Sequence, residues 1–508
     1  MTRAALIFFV CFVLPNGIWT PPAVAAAATF DTATAASVWG AALSYIAPRS
    51  LQPLTIPQMT IWGLNGLAAL DPDMSTTLQD GQIRLYGPDQ MILTVPAPAP
   101  NDAKGWGEVA AQVANAAYTA SPALRQAGTQ GVISSFFDEL FNHFDPYSRY
   151  EPPLQAARDQ LMITGLAGTG LTFDATGGKI VIAGVAADSP AENAGLTPGT
   201  VVLQVDGRPA YPGAVSNLND EMNGIFGTTT MLRLLDPADP TTPQDVTLTR
   251  GFIPPQTVFI EPAPAQGVIA LKISGFNKGT SDQFSSALAA AMAVTPPPTG
   301  LVIDLRGNRG GVLRQAVLVA DSLMPTGPIA QTAGRDPDAG QFFTAEGSDL
   351  TNGLKIVLLV DGQTASAAEI LSAALADNRR AVVIGSETLG KGLVQTVTTL
   401  PDGGELFVTW SRVLAPRGWP LQTLGVMPQI CTSLGETALQ SELTALRQGQ
   451  NLMAPALARA RAMRAPAKVD DILAVRNQCP ADIGSDEDFN AATFLLANPE
   501  AYQAALLP

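Results

Sequence analysis

Residues Lys355 to Gln395 read KIVLLVDGQTASAAEILSAALADNRRAVVIGSETLGKGLVQ, and this stretch decides the fold. Its opening apolar run, Lys355–Val360, suits a buried strand, and a turn of small residues follows. Ser366 then opens an Ala-rich helical pattern. A second apolar run, Ala381–Ile384, leads into a glycine-rich loop that carries Lys391. Strand, helix and strand in that order are the repeating unit of an α/β core. Ser366 falls where strand passes to helix, and Lys391 lies on the next loop. The spacing makes the pair candidates for nucleophile and general base.

At 508 residues the chain exceeds one core, so two to four domains are expected. A hydrophobic content of 46% beside 14% charged residues describes an ordered globular protein. The net charge of −15 gives no basic footprint for nucleic acid. His143 is the sole histidine, so every His-dependent triad or multi-His metal site must use it. It lies in a helical pattern among Leu140, Phe141 and Phe144, which suits a packed or surface residue. The three cysteines lack the C-x-x-C spacing of zinc or redox sites, and no metal or cofactor is expected.

The chain opens with Arg3, the apolar run Ala4–Leu14, and a small-residue cleavage pattern at Ala23-Val24-Ala25 or Ala25-Ala26-Ala27. That is a secretory signal over residues 1–25, so the protein is expected to be exported and periplasmic, or anchored if the signal stays uncleaved. Cleavage removes Cys11 and leaves Cys431 and Cys479, which in an oxidising compartment invite a disulfide.

Residues 28–155 read as a mainly helical N-terminal domain, with a hairpin over Gln82–Val95 and a linker at Pro96–Asp102. A helical pattern covers Gly131–Phe144, and the like segments Gly63–Ser75 and Ser135–Ser148 each read as an amphipathic helix ending in Asp-Pro. Over residues 160–252 the pattern changes to short strands: Gly168–Phe173, Lys179–Val185, Thr200–Gly207, Thr230–Leu235 and Asp245–Arg250. A helix starts near Ser189-Pro190 and another fits Ala214–Ile225, so a small barrel is expected. Residues 256–432 alternate strands and helices, with a strand pair over Glu405–Leu414, and residues 433–508 form a helical tail.

The 160–252 segment resembles a PDZ domain through Gly168-Thr169-Gly170-Leu171, Ser189-Pro190-Ala191, Ala194-Gly195-Leu196, Pro198-Gly199 and Val205-Asp206-Gly207; Thr200 replaces the usual Asp. The resemblance implies capture of a peptide C-terminus as an added strand, with the Gly168–Leu171 loop holding its carboxylate.

A serine hydroxyl needs a base, and a lysine serves only when burial depresses its pKa from about 10.4 towards 7–8. Lys391 lies between Gly390 and Gly392 with apolar Leu389, Leu393 and Val394 beside it. A helix start at Ser366 leaves the Ala367 N–H for an oxyanion, and Gly310 in the turn after a core strand is the candidate second donor. Taken singly, Ser366 could equally be a helix cap and Lys391 an exposed loop residue.

From about Gly131 to Ile430 the chain resembles carboxyl-terminal processing peptidases of family S41. The motifs are Asp145-Pro146-Tyr147-Ser148, Asp304-Leu305-Arg306 with Asn308 and Gly310-Gly311, Ala365–Ile370, Gly390-Lys391-Gly392 with Val394-Gln395, and Gly425-Val426 with Pro428. The resemblance implies a crotonase-like peptidase core with an inserted PDZ barrel. It makes Ser366 the nucleophile, Lys391 the base and Gln395 its orienting residue, with Gly310 and Ala367 as oxyanion hole. Asp377, given a supporting role in some relatives, is expected at the surface. Arg309 stands where Pro or Gly is usual, and Tyr147 where His is usual. The expected substrates are polypeptides with free apolar C-termini; an adaptor or a homo-oligomer is left open.

Rival functions are weaker. Gly385-x-x-x-x-Gly390-Lys391 approaches a phosphate-binding loop but continues with Gly392 instead of the Ser or Thr that holds magnesium, so no nucleotide is expected. Two further functions compete with the peptidase: an inactive PDZ adaptor that binds C-terminal tails of exported proteins, and an acyl hydrolase acting on small molecules.

Overall fold

The computed structural model describes residues 29–506 except 165, 187 and 188. The segment read as an export signal lies outside the described residues. Architecture is mixed α/β.

The core is a six-stranded sheet in the order Val258–Ile260, Val268–Ile273, Gly300–Asp304, Lys355–Val360, Ala381–Gly385, Ile430–Cys431. All pairings are parallel except that of the first strand with the second. Parallel strands buried on both faces read as continuous apolar runs, as Lys355–Val360 and Ala381–Gly385 do. Alternate residues divide between two cores. Ile356, Leu358 and Val360 pack with the helices Thr280–Met292, Leu313–Asp321 and Ala367–Asp377. Val357 and Leu359 face Leu439, Leu443, Leu495 and Tyr502 of the C-terminal segment. The tail is therefore the second covering layer of the sheet. A Cys431–Cys479 disulfide fastens it to the edge strand.

Beside this core lies an antiparallel five-stranded sheet in the order Phe342–Ala345, Gly327–Gly334, Glu405–Leu414, Leu393–Thr399, with Arg149–Glu151 also pairing Glu405–Leu414. Glu405–Leu414 is one ten-residue strand, not the expected strand pair. No turn residue interrupts ELFVTWSRVL, and partners on both sides keep it extended.

N-terminal helices Thr32–Arg49, Ile56–Leu64, Ala103–Ala120 and Pro122–Phe141 share a core with Leu406 and Val408 of that second sheet and Leu400 just beyond one of its strands. The hairpin forms over Gln82–Tyr86 and Met91–Pro96, and Ser75–Gln79 adds a third strand that the sequence reading did not single out.

Residues 166–253 build a separate small sheet ordered Asp239–Thr249, Thr229–Asp236, Val201–Val205, Lys179–Val185, Leu171–Thr176. The path of paired strands is open, so the expected closed barrel is corrected to a sheet with Leu171–Thr176 at its edge. Helices Pro190–Asn193 and Val215–Met222 lie where expected, and Ser189 caps the first by accepting the Glu192 N–H at 3.2 Å. Leu166–Gly168 pairs with Gly251–Ile253, so entry and exit strands meet at the neck of the insertion.

Candidate active site

Two turns at the ends of adjacent parallel strands make the floor of the site. Asp361 Oδ1 accepts the N–H groups of Gly307, Gln363 and Thr364, and Thr364 Oγ1 donates to the Leu305 carbonyl. These bonds lock the turn before Ser366 to the turn after Gly300–Asp304. Ser366 follows with φ 56° and ψ −117°, a positive φ that a serine adopts only when its surroundings enforce it. The helix Ala367–Asp377 begins at the next residue.

Gly310 lies against this corner. A Cβ on Gly310 would fall 2.7 Å from Ser366 Cβ and 2.9 Å from the Ala367 nitrogen, and its φ is +92°. Only glycine permits that approach. Its N–H, however, donates to Asn308 Oδ1 at 2.8 Å, so one expected oxyanion donor is occupied. The second, the Ala367 N–H, precedes the first intrahelical bond and is left unspent by the helix.

Glu369 holds Ser366 and Lys391 together. Its carboxylate is fully buried and accepts four hydrogen bonds. Oε2 takes the N–H of Ser366 at 2.7 Å and of Lys391 at 2.9 Å; Oε1 takes Thr388 Oγ1 at 2.5 Å and the Gly390 N–H at 2.7 Å. The backbones of the serine and lysine thus lie within two hydrogen-bond lengths of each other. Burial pushes the Glu369 carboxyl above its usual range even against these donors. Sequence reasoning gave Glu369 no role, although Ser366-x-x-Glu369 carries the capping-box spacing in which a glutamate reaches back to the N-cap N–H.

Lys391 is half-buried. Its Nζ makes no hydrogen bond or ion pair with a described residue and stands 4.8 Å from the centre of the Tyr147 ring. Burial holds the ammonium below its ordinary range, and the Arg149 charge adds to this while Glu369 opposes it. Gln395 Nε2 donates to Thr409 Oγ1 at 3.1 Å. Thr409 donates in turn to Asp145 Oδ1 at 2.7 Å, and its own N–H goes to Ser148 Oγ. Asp145 also takes the N–H groups of Tyr147 and Ser148. The Asp-Pro-Tyr-Ser motif therefore places the Tyr147 ring over Lys391 and buttresses Gln395.

Asp377 corrects the surface expectation. Its side chain is buried at the far end of the Ser366 helix, where it accepts Trp419 Nε1 at 2.8 Å and Arg461 Nε at 3.3 Å. It anchors the helix to the tail and lies apart from the serine corner. His143 stacks on Trp62 at 4.3 Å and pairs with Glu139, the packed surface position expected of it. In the small domain, the Thr169 N–H is already given to the Met222 carbonyl and Thr169 is buried, so that residue of the Gly168–Leu171 loop offers no free backbone N–H. Gly170 packs against Ser189 with φ +84°.

A serine forced into a strained strand-to-helix corner, with a lysine backbone pinned to the same carboxylate, is the arrangement of a serine-type peptidase, and likeness to known proteins gives the same class. The model of peptidase family S41 matches residues 267–432. A carboxy-terminal-processing protease of Bartonella bacilliformis is 30% identical over 305 residues, covering 59% of this chain and 69% of that protein. One of Synechocystis sp. is 33% identical over 290 residues, covering 56% and 67%. Among solved structures, a photosystem II D1 C-terminal processing protease is similar at 25% identity and a TM-score of 0.36, covering 76% of this chain and 97% of that one. The chain belongs to the carboxy-terminal processing proteases of family S41.

Proposed function

We propose that the protein is an exported endopeptidase with a Ser366/Lys391 dyad that takes a free C-terminus in the 160–252 domain, a PDZ domain inserted beside a crotonase-like core, and cleaves upstream. Neutral Lys391 takes the proton from Ser366 Oγ as that oxygen attacks the scissile carbonyl. The lysine then gives the proton to the leaving amine, and water, deprotonated by the same lysine, releases the acyl chain and restores Ser366. Ala367 N–H and Gly310 N–H receive the oxyanion, the latter after exchanging Asn308 for it. To reach Ser366, Lys391 turns off the Tyr147 ring towards Gln395.

The observation that carries this reading is the single Glu369 carboxylate holding the backbones of Ser366 and Lys391. A lysine that served only as a surface loop residue would have no reason to share it. The test is Ser366→Ala and Lys391→Ala on a peptide with a free or an amidated C-terminus. Both variants should lose cleavage by at least ~10³-fold, and the amidated peptide should be cut more slowly. Full activity in either variant refutes the dyad; equal cleavage of the two peptides refutes tail capture. Export is checked by N-terminal sequencing of the mature protein, which should begin near residue 26.

A further inference from the structure

Between the N-terminal helical domain and the strands that follow Lys391 lies a cavity of about 220 Å³. Its lining includes Leu51, Leu54, Leu393, Thr409, Arg412 and Gln422. Three connections tie it to the segment that carries Lys391. Leu393 is two residues beyond Lys391 and pairs in register with Arg412. Gln422 Oε1 accepts the Gly392 N–H at 2.9 Å. Thr409 is the residue to which Gln395 donates. An extended substrate held at Ser366 advances about 3.3 Å per residue, so a cavity beside the Lys391 segment would receive a residue that flanks the scissile bond.

The electrostatics of the lining are uneven. Asp145 faces the cavity, but its oxygens are spent on Thr409, Tyr147 and Ser148. His143 is paired with Glu139. Arg412 is exposed, and its guanidinium makes no hydrogen bond or ion pair with another described residue. In a chain with 44 acidic residues against 29 lysines and arginines, an unpaired guanidinium beside the catalytic loop stands against the general charge. A guanidinium offers a planar fork of donors suited to a carboxylate. The apolar walls, Leu51, Leu54 and Leu393, suit the methylene stem that carries such a group.

We infer that this cavity is a substrate subsite in which Arg412 receives a carboxylate of the polypeptide, so that cleavage is selective for acidic sequence near the scissile bond. The inference rests on the peptidase reading above and goes beyond it, since nothing in tail capture requires a charge at this place. A carboxylate there has two sources, an Asp or Glu side chain or the terminal carboxylate of a short substrate.

The experiment separates them. A set of decapeptides, each carrying Asp, Asn or Lys at one position and ending in a free acid or an amide, is tested with the full-length protein. Cleavage gives kcat/KM, and fluorescence anisotropy with the Ser366→Ala protein gives affinity. At one position Asp should be preferred to Asn by about tenfold, about 1.4 kcal/mol. Arg412→Gln should abolish the preference, and Arg412→Glu should reverse it in favour of Lys. If the selectivity follows the free acid and not a side chain, Arg412 reads the terminal carboxylate. No Asp preference in the wild type, or one unchanged in Arg412→Gln, overturns the subsite. Absence of cleavage with a preserved, Arg412-dependent anisotropy difference would sink the peptidase reading while sustaining the subsite. A thermal melt of each variant checks folding, and the reversal in Arg412→Glu cannot come from an unfolded protein.

Discussion

Truncating the Glu369 side chain should disable the site without any change to Ser366 or Lys391. In Glu369→Gln one amide oxygen remains. Placed where Oε2 stands, it keeps the Ser366 and Lys391 N–H groups, and the Thr388 hydroxyl can rotate to accept from the new NH2. The Gly390 N–H and the Thr388 hydroxyl hydrogen, whose oxygen already accepts the Val426 N–H, then lose their acceptor. Each buried unsatisfied donor costs about 1–3 kcal/mol, so this variant should be destabilised by roughly 2–4 kcal/mol and stay active within about tenfold, since the Ser366 and Lys391 N–H groups keep their partner. Glu369→Ala strands three backbone N–H groups and a hydroxyl in a dry site and leaves a cavity. Its cost should be about 4 kcal/mol or more, at the upper end for single substitutions. Once the Ser366 and Lys391 backbones are released, misplacement by about 1 Å should lower kcat by at least ~10². Urea unfolding and steady-state cleavage of one peptide measure both effects. A Glu369→Ala protein that unfolds within about 1 kcal/mol of the parent and keeps its kcat would refute the claim that this carboxylate holds the dyad.

Three more outcomes are expected. Arg149→Gln should move the ascending, acidic limb of the pH–rate profile to higher pH, because the Arg149 charge is part of what lowers Lys391; an unmoved limb would show that burial alone sets it. Glu387 is fully buried with neither oxygen hydrogen-bonded, and burial pushes its carboxyl up to about 8 against the pull of Arg476 and Arg461. Between roughly pH 5 and 8 the folded state therefore holds a proton that the unfolded state has lost, so stability should fall as pH rises through that window. Glu387→Gln should flatten the fall in denaturant titrations at several pH values, with a residual slope from Glu442, which burial raises to about 7. In the small domain, Asn219 Oδ1 accepts the Phe173 N–H at 2.7 Å and Asn219 Nδ2 donates to the Phe173 carbonyl at 3.1 Å. That side chain occupies the sheet edge where an added strand would pair, so Asn219→Ala should tighten binding of a free-tail peptide by roughly three- to tenfold in anisotropy titrations. Weaker or unchanged binding would place the tail elsewhere.

The sequence by itself determined the α/β core, because parallel strands buried on both faces leave unbroken apolar runs such as Lys355–Val360, and it marked Ser366 and Lys391 through the turns around them. It also suggested the disulfide, since only two cysteines survive a cleaved signal. Other features depend on contacts that no local pattern encodes. Asp377 reads as a surface residue until Trp419 and Arg461, far along the chain, close over it. Strand runs of similar composition fit a closed barrel or an open sheet, and pairing decided for the open one. The helical tail looked like an appendage, yet Leu439, Leu443 and Tyr502 cover a face of the sheet that would otherwise lie in water. Glu369 carried its capping-box spacing openly. That its carboxylate also holds the loop of Lys391 is a matter of tertiary structure alone, because two segments about twenty residues apart must converge before one carboxylate can bind both.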